Sequence, residues 1–248
     1  MASARSPYGM AIAESCQGCE NRNGDYFCSF SNPALRVFEK LSFTSTFPKG
    51  AVIFVEEQAA RGIFVLCRGR VKLSVNSADG KTLIVRIVEP GEVLGLSSTV
   101  LHKPYQVTAE TLEPCQLKFV RAEDFLGFLQ KDADVCFRVA QQLSEEYNQA
   151  CREIGSLGLS HSAAERLASL LLDWDASNGN GSKQPVRLTL THEEMAQMIG
   201  TSRETVTRLL GKFKERQLIQ LRGCSLLIRN APQLQALAAD SRGLGVEK

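Results

Sequence analysis

The segment Leu190 to Leu210, LTHEEMAQMIGTSRETVTRLL, restricts what this 248-residue chain can fold into more than any other stretch. It reads as two short helices joined by a tight turn. Met195, Ala196 and Ile199 form the apolar face of the first helix, with Ala196 small enough to let a second helix cross closely. Gly200 marks the turn, where a positive φ is adopted without strain. Val206, Leu209 and Leu210 give the second helix a buried stripe. Arg203, Glu204, Thr207 and Arg208 fall at i, i+1, i+4 and i+5, on one polar face. The layout fits a helix-turn-helix whose second helix reads base edges in the major groove.

The side-chain chemistry suits that reading. Arginine contacts guanine O6 and N7 in bidentate fashion, and a carboxylate accepts from cytosine N4. Thr201 and Ser202 stand at the entry to the same helix, where backbone phosphates are commonly held. A capping reading competes for Glu204, because Thr201-x-x-Glu204 fits a capping box, as does Thr191-x-x-Glu194. The plainer alternative is a solvated helix whose arginines and glutamate are paired by chance.

The length allows two domains. No apolar run approaches the roughly 18 residues of a membrane span, and no basic start precedes an apolar core. A cytoplasmic protein without a membrane partner is therefore expected. The formal net charge is +2, yet Lys183 to Arg229 holds nine Lys/Arg against four Asp/Glu, a local +5. A basic C-terminal segment on a mildly acidic remainder suits a DNA-binding module joined to a sensor.

Residues 1–32 form an arm with Cys16, Cys19 and Cys28 among polar residues and glycine, and with no strong periodicity. Residues 33–129 show short strands and turns. Strands are expected at 51–55, 62–67, 70–75, 82–88, 106–109 and 115–120, with Asp79-Gly80 and Pro90-Gly91 as turns. Such a pattern indicates a β-roll or barrel. Residues 130–158 read as one long helix, in which Cys136, Ala140, Leu143, Tyr147, Ala150, Ile154 and Leu157 alternate spacings of four and three. That is a heptad seam for a parallel homodimer, or a helix packed on its own β-roll. Residues 159–232 hold the helix-turn-helix and a hairpin around Arg222-Gly223, with Arg222 a candidate phosphate contact, and 233–248 form a tail.

Ser202-Arg-Glu-Thr-Val-Thr-Arg208 resembles the recognition helix of the Crp/Fnr family of bacterial transcription regulators. Gly50, Gly69 and Gly91 match the recurring glycines of that family's sensor. The resemblance implies an α+β chain: a cyclic-nucleotide-binding-like β-roll, a long dimerisation helix and a winged helix-turn-helix. It implies a homodimer on double-stranded DNA, with RNA polymerase as a further partner. In the catabolite-activator branch, the equivalents of Arg203, Glu204 and Arg208 read a TGTGA-type half-site. The oxygen-sensing Fnr branch has another residue in place of Arg203.

In the catabolite activator a glutamate and an Arg-Ser pair hold cyclic AMP. Here the matching Gly91 to Val100 puts Leu96 in the glutamate's place, and Lys103 to Val107 offers no Arg-Ser. A buried phosphodiester would lack its compensating charge, so cyclic AMP is not the expected ligand.

Eight cysteines point instead to metal, redox or buried roles. Cys16-x2-Cys19-x8-Cys28 gives three thiolates, with the last spacing longer than in the Fnr branch. Cys115, in Glu110 to Phe119, lies in a segment resembling the Fnr stretch that carries the fourth ligand of a [4Fe–4S] cluster. That resemblance implies Cys16, Cys19, Cys28 and Cys115 as ligands. The residues themselves leave zinc, a reversible disulfide switch or no metal open. Cys115 also shares strand parity with Leu117 and Phe119, as a buried apolar cysteine would. Cys67, Cys136, Cys151 and Cys224 read as packing residues. Haem is a lesser alternative, with His102 on a loop as the nearest histidine. The three histidines, at 102, 161 and 192, lack a nucleophile or carboxylate partner in sequence, which argues against an enzyme. His192 is a candidate phosphate contact. A cluster-bearing electron carrier would leave the recognition face unexplained.

Overall fold

The computed structural model describes residues 8–13, 15–22, 27–159, 162–177, 186–187, 190–222 and 225–239. They fall into two compact units, residues 1–149 and 150–248, divided inside the long helix.

The first unit begins with the arm and a short 3-10 turn at Glu20–Arg22. Helix α1 (Asn32–Leu41) starts where Ser31 Oγ accepts from the Ala34 N–H and a proline fills the first turn, where a missing N–H costs nothing. Strands β1 (Phe43–Phe47), β2 (Val52–Phe54), β3 (Gly62–Arg68), β4 (Val71–Asn76), β5 (Thr82–Val88) and β6 (Val93–Leu94) follow. Helix α2 (Leu96–Val100), strands β7 (Thr108–Thr111) and β8 (Cys115–Arg121), and helices α3 (Ala122–Lys131) and α4 (Ala133–Leu159) complete the set. Two four-stranded antiparallel sheets form, in the orders β1-β8-β3-β6 and β2-β7-β4-β5.

Strand alternation sends side chains to two cores. Leu66, Leu94, Cys115 and Leu117 of the first sheet meet Phe54, Val71, Val88 and Ala109 of the second. The opposite face of the first sheet carries Ile63, Val65 and Val120, which pack with α1, α3 and the start of α4. Phe27 and Phe30 of the arm join that second core in edge-to-face contacts with Phe38 and Phe128. The arm is thus held chiefly by apolar burial, each such ring contributing about 1.5–3 kcal/mol. Gly69 has φ +86°, and a Cβ there would stand 2.5 Å from both Cys115 Sγ and the Pro114 carbonyl oxygen. Only glycine fits.

Arg86 on β5 is buried and lies 3.1 Å from Glu92 and 3.7 Å from Glu146 of α4. It also donates to Gln149. Burial pushes the Glu146 carboxyl above its ordinary range, while Arg86 pulls it down. Charge as well as packing therefore fixes α4 against the roll.

The second unit contains α5 (Ala163–Ser177), β9 (Val186–Arg187), α6 (His192–Met198), α7 (Arg203–Glu215), β10 (Ile219–Arg222), β11 (Ser225–Ile228) and α8 (Ala231–Ala239). The strands pair antiparallel in the order β10-β11-β9. The β10–β11 hairpin stands where the wing is expected; Gly223 and Cys224 at its tip lie outside the described residues. So do the tail beyond 239, His161, and Asn23 and Gly24 of the arm loop. The sequence reading did not anticipate α1, β1, α3 or α8.

Candidate functional site

The helix-turn-helix is assembled by local chemistry. Thr191 and Glu194 form a reciprocal capping box at α6: Thr191 Oγ1 accepts from Glu194 N–H at 3.2 Å, and the Glu194 carboxylate accepts from Thr191 N–H at 2.7 Å. At the other end Gly200 has φ +60°, and Thr201 N–H reaches back to the Ala196 carbonyl at 3.0 Å. Arg166 of α5 donates to the Ile199 carbonyl at 2.7 Å, satisfying an orphan acceptor of the same turn. Met195, Ala196, Ile199, Val206, Leu209, Leu210 and Phe213 are buried between the helices.

Helix α7 is capped by Ser202, whose Oγ accepts from Thr205 N–H, and not by Thr201. The Thr201–Glu204 box is therefore replaced. Glu204 instead accepts from its own N–H and from Ser202, which with the adjacent Arg203 holds its carboxyl below the ordinary carboxylate range. Arg203, Glu204, Thr207 and Arg208 are all exposed on the face opposite the buried stripe. His192, half-buried at the start of α6, has Nδ1 2.9 Å from Thr207 Oγ1, which in turn bonds the Arg203 carbonyl. The imidazole thus props the recognition face. Arg222 closes β10 opposite Ser225.

On α4 the apolar residues divide. Val135 and Val139 are buried in the second core of the β-roll unit, and Leu143 packs partly against it. Cys136, Phe137, Ala140, Tyr147, Ala150 and Ile154 are exposed, and Leu157 is half-buried. Most of the seam is thus uncovered by its own chain. Cys151 is exposed as well, so neither Cys136 nor Cys151 packs against its own chain, and Cys136 stands in the uncovered seam.

The cysteines divide by sheet face. Cys16 and Cys28 are buried in the core that includes Val65 and Val120. Cys115 is buried in the core between the two sheets, with Sγ donating to the carbonyls of Glu113 and Arg70 at 3.1 and 3.3 Å. Burial pushes its thiol up to about 11, and the groups acting on it are Arg70 and Glu113, with no other thiol among them. The structure does not bring Cys115 to the arm. Resemblance alone implies a place for it there, and strand parity sends Gln116 and Lys118 to the arm side instead. There Gln116 exchanges two hydrogen bonds with the Ala13 backbone.

The thiol that does face the arm is Cys67. It sits at a bulge in β3: Leu66 pairs with Leu117 and Arg68 with Gln116, so two steps on β3 match one on β8. Cys67 and Cys19 line one cleft of about 870 Å³. Burial is the main cause raising the thiols of Cys16, Cys28 and Cys67, the last to about 12, and mutual repulsion among them and Cys19 adds to it. Lys118 opposes the rise at all three. Among the described residues no three Cys, His, Asp or Glu side chains already stand at metal-holding positions. A metal would have to draw Cys19 and its neighbours together.

A β-roll followed by a long helix and a winged helix-turn-helix defines a DNA-binding regulator with a sensor module. Residues 44–132 match the cyclic nucleotide-binding domain, and residues 165–237 match the Crp-like helix-turn-helix domain. The chain belongs to the Crp/Fnr family and is a DNA-binding transcription regulator of that type. It is 26% identical over 226 residues to the nitrogen fixation regulation protein FixK of Bradyrhizobium diazoefficiens, covering 90% of this chain and 94% of the relative. It is 25% identical over 190 residues to the CRP-like cAMP-activated global transcriptional regulator of Mycobacterium tuberculosis, covering 76% and 84%. Its fold matches that of the c-di-GMP responsive global regulator CLP of Xanthomonas campestris with a TM-score of 0.72 at 21% identity, over 80% of this chain and 99% of that one. Among the described residues no helix is long and apolar enough to cross a membrane.

Proposed function

We propose that the chain acts in the cytoplasm as a homodimer on a palindromic TGTGA-like site, and that it answers to oxygen or redox state through its cysteine arm. The observation that carries the DNA reading is the exposed row Arg203, Glu204, Thr207 and Arg208 on a helix whose other face is fully packed. Arg203, Arg208 and Glu204 take base edges; Thr201, Ser202, His192 and Arg222 position the backbone. RNA polymerase is the partner that family membership suggests. In this reading no histidine is catalytic.

The sensor reading rests on donor chemistry. The arm supplies three cysteines, and a buried sulfur-rich pocket faced by Lys118 suits an anionic thiolate–metal group better than free thiols. A [4Fe–4S] cluster bound there would supply reactivity toward oxygen. The residues carry the consequence onward. Cys16, Phe27 and Cys28 share one core with Val135 and Val139 of α4, so ordering of the arm firms the footing of the seam helix. A coupling of a few kcal/mol would suffice for a switch. The same thiols would also take zinc or cycle as a disulfide.

Cyclic AMP is disfavoured in this account. Leu96 is buried among apolar residues, and Tyr105 stacks on Phe54 within the roll while donating to the Gly62 carbonyl at 2.8 Å. Titration calorimetry with cyclic AMP should show no binding at micromolar nucleotide. Iron, sulfide and zinc content measured after oxygen-free purification, with a visible spectrum before and after air, tests the sensor. About four irons and four sulfides per chain, bleached by air, support the cluster. Zinc alone supports the structural-metal reading, and no metal supports a thiol switch.

A further inference from the structure

We propose that Cys67, the bulged residue of β3, and not Cys115, is the fourth sulfur ligand beside Cys16, Cys19 and Cys28 for a soft metal group bound between the arm and the sheet. The inference rests on the reading of the arm as a metal site and identifies its ligands.

Three independent observations carry it. The first is topological. Leu66 and Cys115 lie in the core between the sheets, whereas Val65 packs in the arm-side core, Cys67 lines the cleft with Cys19 of the arm, and Lys118 bonds the Cys16 side chain. Cys115 is fully buried in the core between the sheets, with Gly69 and Pro114, which line the cleft, packed beside its sulfur.

The second is local. Alternation along β3 puts Cys67 on the face of Ile63 and Val65, the bulge pairs Arg68 with Gln116, and Asn21 Nδ2 of the arm donates to the Cys67 carbonyl at 3.0 Å. Cys16 N–H and the Ser15 hydroxyl are tied to Glu39 of α1, and the Cys19 N–H bonds the Cys16 carbonyl at 3.4 Å, closing a turn that presents both sulfurs. Cys19 and Cys67 open to the same cleft, with Cys16 and Cys28 buried behind it.

The third is electrostatic. Four thiolates on a metal leave a net negative group, which a protein stabilises with nearby cations. Lys118 is buried beside these sulfurs, and Arg68, which lines the cleft, has an Nε with no partner among the described residues. On binding, each sulfur gives its proton to solvent and enters as thiolate. The cations of Lys118 and Arg68 then face charge that they lack without metal. Glu113 also borders the cleft, paired with Arg70 at 3.3 Å.

The test compares wild type, Cys67→Ala and Cys115→Ala. Each full-length chain is reconstituted without oxygen with iron and sulfide, and separately titrated with cobalt(II) after reduction. Far-ultraviolet circular dichroism reports folding, and Cys67→Ser serves if the alanine variant is unfolded. Wild type and Cys115→Ala should take up equal iron and show the same sulfur-to-cobalt charge-transfer band. Cys67→Ala should lose at least nine-tenths of the iron and about a quarter of that band, one thiolate in four. Retention of full iron and band by folded Cys67→Ala, with loss in Cys115→Ala, overturns the proposal. A Cys67-dependent cobalt site in a wild type that holds no cluster refutes the iron–sulfur reading but upholds Cys67 as ligand. Binding of neither metal by wild type overturns both.

Discussion

Replacing Ile154 by Ala should weaken the dimer without harming the protomer. Ile154 is 70% exposed in the single chain, beside Tyr147 at 71% and Phe137 at 62%. Fully burying an isoleucine contributes about 1.5–3 kcal/mol, so roughly seven-tenths of that, about 1–2 kcal/mol, is still to be gained in a seam. A two-fold dimer uses the residue twice. The loss is then about 2–4 kcal/mol, or a dimer dissociation constant raised on the order of 30- to 1,000-fold. Within one chain the change should be neutral or stabilising by a few tenths of a kcal/mol, because alanine is the better helix former. Sedimentation equilibrium over a wide concentration range measures the first effect, and thermal unfolding of the dilute protomer measures the second. Gln141→Ala, on an exposed face away from the seam, should change the constant by less than about threefold. If Ile154→Ala shifted it no more than Gln141→Ala does, the exposed stripe of α4 would not be the dimer seam.

Arg203→Ala should relax specificity at one base pair by about 1–3 kcal/mol, read from binding to a panel of single-base variants. Equal weakening on all duplexes would make Arg203 a phosphate contact. Thr191→Ala removes the α6 capping box and should cost about 1 kcal/mol in urea unfolding of the helix-turn-helix, with a proportionate loss of DNA affinity at the temperature where that unit begins to melt. Arg86→Met leaves Glu92 and Glu146 without their cation and should cost about 2–4 kcal/mol, discounted for the partial exposure of both carboxylates. Because burial has already raised the Glu146 carboxyl, this loss should shrink as pH falls and Glu146 takes up a proton. Chemical denaturation at two pH values checks it.

The helix-turn-helix was legible because each of its signals is local. The Thr191 cap, the Gly200 turn and the stripe of Val206, Leu209 and Leu210 all stand where the sequence placed them. The cap of α7 shifted by one residue, from Thr201 to Ser202, because both are hydroxyl residues and only the entry angle of the chain decides between them. The β-roll glycines and the Asp79-Gly80 turn were equally local. Helix α1 carries a readable local signal in Ser31-Asn-Pro, a capping hydroxyl followed by a first-turn proline. The place of Cys115 in the fold was not legible. Which face of β8 meets the arm depends on sheet topology, which the alternation within one strand does not reveal. The exposure of Cys136 likewise follows from how the start of α4 is rotated on the roll, which a heptad pattern alone does not fix.

The most direct measurement is fluorescence anisotropy of the oxygen-free, metal-reconstituted chain on two duplexes at one fixed salt concentration, before and after air. One duplex carries a palindromic TGTGA-type site and the other a scrambled site of the same composition. The account predicts binding to the palindrome at least about a thousandfold tighter than to the scramble, as two chains per duplex, with most of that preference lost in air. Equal affinity for both duplexes, or a preference untouched by air, would contradict it.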